Sequence, residues 1–289
     1  MAEKYDHEAL MTSVWKSWEI AQHRPWETWI GSIPITPNCW YIGDNWVGVI
    51  LIKTDAGLVM IDTGMTGQVH LIFEAIRELG FRPKDIKLIL LTHGHFDHVG
   101  GLNFIRAYTG AKVGAPKEDL EALQGSSEKL DNRGEYYLPV TPDFFYNDSE
   151  PVSIGNLEIQ TMHTPGHTPG TTALFFHDVG DNGRKLRVGI LGGVGMNGVL
   201  PSTPDEDITP FLKARTDLRN SLERLACEYV DVTVAIHPGT CDMLLTAARA
   251  TEKSNPFIES SDSRIGKLYR LGFLVGRRPD RDGSTRLFV

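Results

Sequence analysis

Cysteine is scarce in this chain, and its scarcity limits what can stabilise the fold. The 289 residues include three cysteines, Cys39, Cys227 and Cys241, and an odd, sparse set of this kind does not suggest a disulfide framework. We therefore expect reduced thiols and a fold that depends on a buried apolar core. A chain of this length can form one large α/β domain or two small ones.

Long apolar runs are also missing. No stretch approaches the ~20 residues that span a bilayer, so we expect no membrane partner. The N-terminal segment is mixed and charged, without the basic head, apolar stretch and small-residue cleavage site of a secretion signal. If Met1 is the native start, the expected location is the cytoplasm.

The chain also has no excess of positive charge. The formal net charge is −8, which argues against a broad phosphate-binding surface and makes nucleic acid a poor default partner. The chain also lacks the Gly-x-Ser-x-Gly motif that would present a serine nucleophile. These absences favour a soluble protein that acts on a small molecule without a serine nucleophile.

The spacing of apolar residues predicts alternating strands and helices. Residues 47–53 and 58–61 are rich in β-branched side chains and predict strands, and an apolar stripe from Val69 to Leu79 predicts a helix. The same criteria predict strands over 86–91, 111–114, 157–162, 173–176, 188–191 and 232–236, and helices over 102–108 and 212–229. Residues 118–150 are polar and predict loops. Two β-rich halves with helices outside predict an α/β fold, a four-layer αββα sandwich.

We find no linker composition that separates two domains. The prediction is a single domain over 1–289, with a Trp-rich N-terminal extension of about residues 1–35 and a C-terminal tail of about residues 251–289. All six tryptophans lie within the first 46 residues. They either pack the extension onto the sandwich or form an apolar wall over the active site or a dimer contact. An amphipathic spacing in the tail leaves a homo-oligomer open; its residues are Ile265, Leu268, Leu271 and Leu274.

The strongest chemical signal is a cluster of metal-ligand side chains in one short segment. His93, His95, Asp97 and His98 directly follow an apolar strand, and desolvating four such groups together is costly unless they bind something. In an extended segment His93 and His95 face one side. Asp97 and His98 then turn toward the other side, so the segment can serve two adjacent ions.

Two further histidines follow predicted strands in the same way. His167 lies in a turn rich in glycine and proline after the strand 157–162, and His237 closes the strand 232–236. We expect both at the sheet edge that carries the first cluster, and we interpret both as metal ligands. Imidazole and carboxylate without thiolate suit two Zn²⁺ ions best, although manganese, iron or cobalt can occupy such sites. Cys241 is interpreted as a small buried hydrophobic residue and not as a ligand.

The segment from Thr92 to Gly101 resembles the signature of the metallo-β-lactamase superfamily. Residues 61–64 and 164–168 resemble its other landmarks, and the resemblance spans roughly residues 35 to 245. It is closest to the lactamase subclass that holds its second metal with Asp-His-His. The resemblance implies a first metal on His93, His95 and His167 and a second on Asp97, His98 and His237.

The resemblance also implies a mechanism in which hydroxide generated at two metals attacks a carbonyl carbon. In that mechanism Asp97 is a catalytic residue that ligates the second metal and hydrogen-bonds the nucleophile. Asp62, at a strand end, is placed to orient a ligand histidine by accepting its free N–H.

The glycine loop after residue 191 differs both from the thioesterases and lactonases of the superfamily and from its lactamase subclass. Many thioesterases and lactonases of the superfamily carry an aspartate that bridges the two metals, and Gly193 stands at that point. The lactamase subclass lacks this aspartate but often has serines here that hold the substrate carboxylate. Because glycines replace them, the predicted substrate loop of Gly193, Gly195 and Asn197 puts β-lactam itself in doubt.

The leading hypothesis is therefore hydrolysis of a cyclic amide, with lactone, ester or thioester hydrolysis as the alternative. The expected absence of a secretion signal favours a metabolic or detoxifying hydrolase over a dedicated resistance enzyme. A nuclease would need a nucleic-acid channel with suitable charge, and a non-catalytic binding protein would have lost ligands. A dioxygen-reducing or sulfur-dioxygenating relative would carry more carboxylate ligands.

Overall fold

A computed structural model describes residues 19–124, 138–180, 183–195, 199, 207–241, 243–251, 254–258, 276–279 and 285–288. Three parts of the predictions lie outside these residues: Asn197 of the substrate loop, Trp15 and Trp18 of the Trp-rich extension, and the amphipathic spacing in the tail. The strands and helices are numbered below in chain order.

The larger sheet has seven strands whose order in space follows their order in the chain. The first four strands pair antiparallel, whereas the fourth to the seventh pair parallel. Parallel neighbours need crossover connections, and helices supply the first two of them. The strands are β1 (Trp29–Thr36), β2 (Cys39–Asp44), β3 (Gly48–Thr54), β4 (Gly57–Ile61), β5 (Ile86–Leu90), β6 (Lys112–Pro116) and β7 (Phe144–Tyr146).

The smaller sheet has five strands in the order β12-β11-β10-β9-β8. Its pairs are antiparallel except β11 with β12, which run parallel. The strands are β8 (Val152–Ile154), β9 (Leu157–His163), β10 (Thr172–Val179), β11 (Lys185–Leu191) and β12 (Val232–Ala235). A separate antiparallel pair consists of β13 (Gly276–Pro279) and β14 (Thr285–Phe288).

Six α-helices have defined bounds in the described part of the chain, where residues 19–23 are also helical. Among the described residues, no helix has the length and apolar character needed to cross a bilayer. The helices are α1 (Val69–Glu78), α2 (Phe96–Val99), α3 (Leu102–Thr109), α4 (Leu120–Gln124), α5 (Leu212–Ala226) and α6 (Met243–Ala247). Short 3₁₀ helices cover Pro25–Glu27, Thr66–Gln68, Pro83–Asp85, Lys117–Asp119, Thr209–Phe211 and Pro238–Cys241.

Alternating side chains divide the core into layers. On β3, Ile50 joins a cluster shared with the smaller sheet, whereas Leu51 joins a cluster shared with α1 and α3. This alternation is expected of a strand that is buried on both faces. On the far side of the smaller sheet, Phe175 packs with Leu225 of α5. The order of layers is helix, sheet, sheet, helix, so the predicted αββα sandwich is confirmed.

The elements β2, β8 and α6 lie where no strand or helix was predicted, and two stated predictions also differ from the structure. The stretch 118–150, predicted as loops, contains α4 and the edge strand β7. Each has five residues or fewer, too short for a clear periodic pattern. The predicted extension, about residues 1–35, contains most of β1, which pairs with β2 and therefore belongs to the larger sheet. The division of the chain into one domain with an extension and a tail stays a prediction.

One end of the sandwich collects the loops that carry the predicted ligands. β4, β5 and β6 run parallel, so their carboxyl ends meet there, and β11 and β12 end at the same place on the other sheet. Two backbone hydrogen bonds join the sheets at this end. Thr172 N donates to Thr92 O at 3.0 Å, and Gly48 N donates to Ile236 O at 3.1 Å.

Candidate metal centre

The loop after β5 directs its ligands to two sides, as the sequence predicts. The chain stays extended through His95, whose φ and ψ are −72° and 149°, and α2 begins at the next residue. An extended segment places His93 and His95 on one side. The helical turn then carries Asp97 and His98 toward a neighbouring position.

The first candidate triad consists of His93, His95 and His167. One ligand atom from each residue lies within 4.8 Å of the others. The ring centroids of His95 and His167 are 4.5 Å apart, and those of His93 and His167 are 4.8 Å apart. His93 is fully buried, whereas His95 is partly exposed, so the triad opens to solvent on the His95 side.

The second candidate triad consists of Asp97, His98 and His237, and its ligand atoms also lie within 4.8 Å of one another. His237 Nε2 is 3.3 Å from Asp97 Oδ2, and His98 Nε2 is 3.8 Å from Asp97 Oδ1. The rings of His93 and His98 are 3.9 Å apart. The two triads are therefore immediate neighbours at one sheet edge.

Hydrogen bonds to outer atoms determine which nitrogen each histidine presents. The carbonyl oxygens of Gly195 and Trp46 can only accept, so Nδ1 of His167 and of His237 must donate, at 3.0 Å and 2.8 Å. His98 Nδ1 lies 2.6 Å from Asp62 Oδ2. In all three histidines Nε2 is therefore the atom left for the interior of the site.

The inward nitrogens fit a bound cation. Nε2 of His98 and Nε2 of His237 lie 3.2 Å apart, and both carry lone pairs when their Nδ1 atoms donate to oxygen. His93 Nε2 likewise lies 3.2 Å from His95 Nδ1. Lone pairs that face each other at this distance repel unless a proton or a cation lies between them. Nitrogen donors with one carboxylate are a donor set that suits zinc.

Asp62 is the buried anchor of the loop after β5. Its Oδ1 accepts from Thr92 N at 2.6 Å, and its Oδ2 accepts from Thr92 Oγ1 at 2.7 Å and faces His98 Nδ1. Because the Thr92 hydroxyl donates to Asp62, it accepts from His93 Nδ1 at 3.0 Å. One carboxylate thus orients His98 directly and His93 through a hydroxyl, as expected for outer partners of metal ligands.

Burial and neighbouring charges set the protonation of the ligands. Burial lowers the pKa of His93 and of His167 well below the usual value for histidine, and nearby histidines lower it further. Burial alone would lower the pKa of His98, but Asp97 and Asp62 outweigh it and raise that pKa. Burial would raise the pKa of Asp97, but His98 and His237 outweigh it and lower that pKa. His93 and His167 of the first triad are therefore neutral and can bind a cation, whereas the second triad carries an ionised carboxylate.

Asp119 is part of this site, and sequence reasoning missed it. It follows β6 and is 2% exposed. It accepts hydrogen bonds from Gly94 N at 2.8 Å, Thr168 Oγ1 at 2.7 Å and Gly170 N at 2.6 Å. Burial raises the pKa of Asp119, and these hydrogen bonds oppose the shift. Asp119 lies in the polar stretch 118–150 at no recognisable spacing from a histidine, so the sequence offered no signal.

The predicted substrate loop packs against His167 of the first candidate triad. A Cβ added to Gly193 would lie 1.8 Å from His167 Cδ2, whereas one added to Gly195 would find its nearest atom at 3.4 Å. The ring of His167 thus occupies the space that a side chain at residue 193 would need. The Gly195 carbonyl orients the same ring. Both glycines contact the first triad, and a role in substrate binding stays a prediction.

The tryptophans divide between the two interpretations. Trp29 and Trp40 pack against the outer core of the larger sheet, and Trp26 is 59% exposed. The ring of Trp46 lies edge-on to that of His237, with centroids 5.7 Å apart. One tryptophan therefore reaches the second triad; Trp15 and Trp18 lie outside the described residues.

Cys241 is not grouped with either triad among the described residues. It is partly buried and packs against the cores on both faces of the smaller sheet, which is consistent with the predicted apolar role.

Solved structures with the same architecture include two metallo-beta-lactamases. The subclass B3 enzyme of Bradyrhizobium japonicum is 28% identical, with a TM-score of 0.72 over 82% of this chain and 89% of that chain. The enzyme from Elizabethkingia meningoseptica is 27% identical, with a TM-score of 0.72 over 86% of this chain and 90% of that chain.

Sequence relatives carry other names. A hydroxyacylglutathione hydrolase of Haemophilus influenzae is 28% identical over 155 residues, which are 50% of this chain and 65% of that protein. An N-acyl homoserine lactonase of a Bacillus species is 29% identical over 151 residues, 43% of this chain and 55% of that protein. The chain thus matches less than two thirds of the length of these two relatives.

The family match covers five of the six predicted ligands, and His237 lies beyond it. The match extends over residues 47–226 and is to the model of the metallo-beta-lactamase superfamily, and the chain belongs to that superfamily.

Proposed function

We propose that this protein is a metal-dependent hydrolase that holds two divalent cations, best satisfied by zinc, and opens a cyclic amide of the β-lactam type. The observation that carries the proposal is the pair of adjacent triads with inward nitrogens and one carboxylate. The first ion would be held by His93, His95 and His167, and the second by Asp97, His98 and His237.

Two such ions, when bound, would lower the pKa of a water molecule to near neutrality and would polarise a carbonyl group. The protein's part is to position and orient. The Asp97 carboxylate lies 3.3 Å from His237 Nε2 and 3.8 Å from His98 Nε2, and its lowered pKa keeps it ionised. An ionised carboxylate can only accept hydrogen bonds. Asp97 can therefore orient the attacking water by accepting a hydrogen bond from it.

The choice of an amide over an ester depends on Gly193. The sequence resemblance places a bridging aspartate at this point in many thioesterases and lactonases. Here any side chain at residue 193 would collide with the His167 ring. The absence of that carboxylate favours the lactamase-like ligand arrangement, in which only Asp97 contributes an oxygen.

Hydrolysis of a lactone or thioester is the second candidate. It is supported by relatives whose names are hydroxyacylglutathione hydrolase and N-acyl homoserine lactonase. The glycines at 193 and 195 also remove the serines that would hold a lactam's carboxylate, and this weakens the case for β-lactam as the natural substrate.

A substrate panel tests the proposal. Zinc-loaded protein is assayed against a penicillin, a carbapenem, other cyclic amides, acyl lactones and glutathione thioesters, with His95→Ala as the blank. We expect turnover of a cyclic amide that chelation abolishes and zinc restores. Turnover of lactones or thioesters alone would replace the first candidate with the second. A chain that binds no divalent ion would overturn both.

A further inference from the structure

We propose that Asp119 is a positioning residue for the first triad, because its carboxylate joins the two loops that carry His93, His95 and His167. This inference rests on the proposed function, since it concerns how that site holds its first ion. It adds a residue from a third segment, the 3₁₀ helix Lys117–Asp119 that follows β6.

The hydrogen bonds of Asp119 reach both ligand loops next to the ligands themselves. Gly94, whose N–H donates to Oδ2, lies between two ligands in sequence. Thr168 follows His167 directly and donates its hydroxyl to the same oxygen, and Gly170 N donates to Oδ1. A shift of this carboxylate would therefore change the distance between the loops, and with it the spacing of three imidazoles.

The carboxylate fits its space closely. A Cβ added to Gly170 would lie 2.6 Å from Asp119 Cγ, and one added to Gly94 would lie 3.3 Å from Asp119 Cβ. Both backbones therefore approach the carboxylate without a side chain between. Each oxygen also faces a backbone N–H, which cannot act as an acceptor. Asparagine has the same shape, but either orientation of its amide places an NH₂ group against one of those donors.

Asp178 offers a matched control. It is 8% exposed, and it accepts from a threonine hydroxyl and a backbone N–H, Thr36 Oγ1 at 2.5 Å and Asn38 N at 3.1 Å. It lies on β10 six residues after Thr172, about 20 Å along the strand from the metal end. Asp178→Asn should therefore destabilise the fold as Asp119→Asn does, without a change at either triad.

The test measures zinc affinity by competition with a chromophoric chelator. Each triad is isolated first, the first triad in a His237→Ala protein and the second in a His167→Ala protein. We expect Asp119→Asn to weaken zinc binding about 10- to 100-fold in the first background, as the loss of an outer partner does. In the second background it should leave the affinity unchanged. Asp178→Asn should leave both affinities unchanged, with thermal unfolding recorded in parallel for all variants.

A second pair of variants covers the case in which Asp119→Asn fails to fold. Thr168→Val keeps the shape but removes the hydroxyl donor, and Thr168→Ser keeps the donor. We expect the valine variant to weaken only the first triad and the serine variant to restore it. Equal zinc affinities of the first triad with and without Asp119→Asn, or with valine and serine, would overturn the inference. Loss at both triads would mark Asp119 as merely structural, and no zinc binding by the parent chain would overturn the proposed function instead.

Discussion

The two triads lie side by side but are held by different means. The first consists of three imidazoles, and burial lowers the pKa of His93 and of His167, so these two predicted ligands are neutral. The second includes an ionised carboxylate, and Asp62 places another carboxylate directly behind His98. We therefore expect metal affinity at the first triad to depend on the spacing of its imidazoles. At the second triad it should also depend on the charge of the carboxylates.

The origin of the ligands differs as well. The first triad combines the loop after β5 with the loop after β9. The second adds His237 from the end of β12, and its side chain is 30% exposed. The outer nitrogen of His237 donates to the Trp46 carbonyl, from the loop between β2 and β3. Both triads combine residues from the two sheets, but the first is enclosed by loops that share the Asp119 carboxylate, whereas the second includes the partly exposed His237.

Removal of one ligand should have the largest effect. His95→Ala takes one of three imidazoles from the first triad and leaves the second complete. We expect zinc content to fall from two ions per chain to one, and hydrolysis to fall by more than about 100-fold, beyond the loss expected for an outer partner. Elemental analysis with steady-state kinetics measures both. His237→Ala is the matched variant at the other triad, and two retained ions in either variant would contradict the ligand assignment.

Asp62→Asn should have the second-largest effect, and it should lower the metal affinity of the second triad more than that of the first. The backbone φ of Asp62 is +58°, a left-handed conformation that asparagine tolerates, so the change mainly removes charge and an acceptor. We expect the second ion to be weakened about 10- to 100-fold. The first ion should be weakened less, because Asp62 reaches His93 only through the Thr92 hydroxyl. Zinc titration in the His237→Ala and His167→Ala proteins measures the affinity of each triad separately. An equal loss of affinity at both triads would contradict the proposed difference between them.

Gly193→Ala should reveal how much the first triad depends on spacing. The added Cβ would lie 1.8 Å from His167 Cδ2, so the ring has to move. Overpacking of this kind costs about 1–3 kcal/mol, and we expect a corresponding loss of affinity for the first ion. Gly195→Ala is the control, because its nearest contact is 3.4 Å. Equal zinc affinities for the two variants would show that the ring adjusts freely.

Cys241→Ala should have the smallest effect. Cys241 follows His237 by four residues and could be mistaken for a ligand of the second ion. We expect the zinc content to stay at two ions per chain, with a small loss of stability from reduced packing. Loss of the second ion, measured by elemental analysis, would make this thiol a ligand and would break the contrast between the triads.

Much of the fold could be predicted because the elements have clear periods. The β-branched segments before and after Gly57 and the stripe along α1 predicted both strands and the helix to within about two residues, the usual uncertainty of element ends. Short elements were missed, among them α4, β7, β8 and α6. They have too few residues for a period, and tertiary packing rather than local preference stabilises them.

The sequence by itself determined the chemistry of the loop after β5. Four metal-ligand side chains lie within six residues there, and local backbone geometry alone decides which of them face the same side. It also placed Asp62 next to the strand end, so that its role toward a histidine could be expected.

Only the tertiary structure decided what holds those ligands in place. Asp119 meets Gly94 and Thr168 from 25 and 49 residues away, and the Trp46 carbonyl meets His237 from 191 residues away. No periodic sequence pattern predicts such hydrogen bonds, because the sequence does not distinguish a loop residue that forms one from any other polar loop residue. The fold brings them together only when two sheets pack and their strand ends meet at one edge.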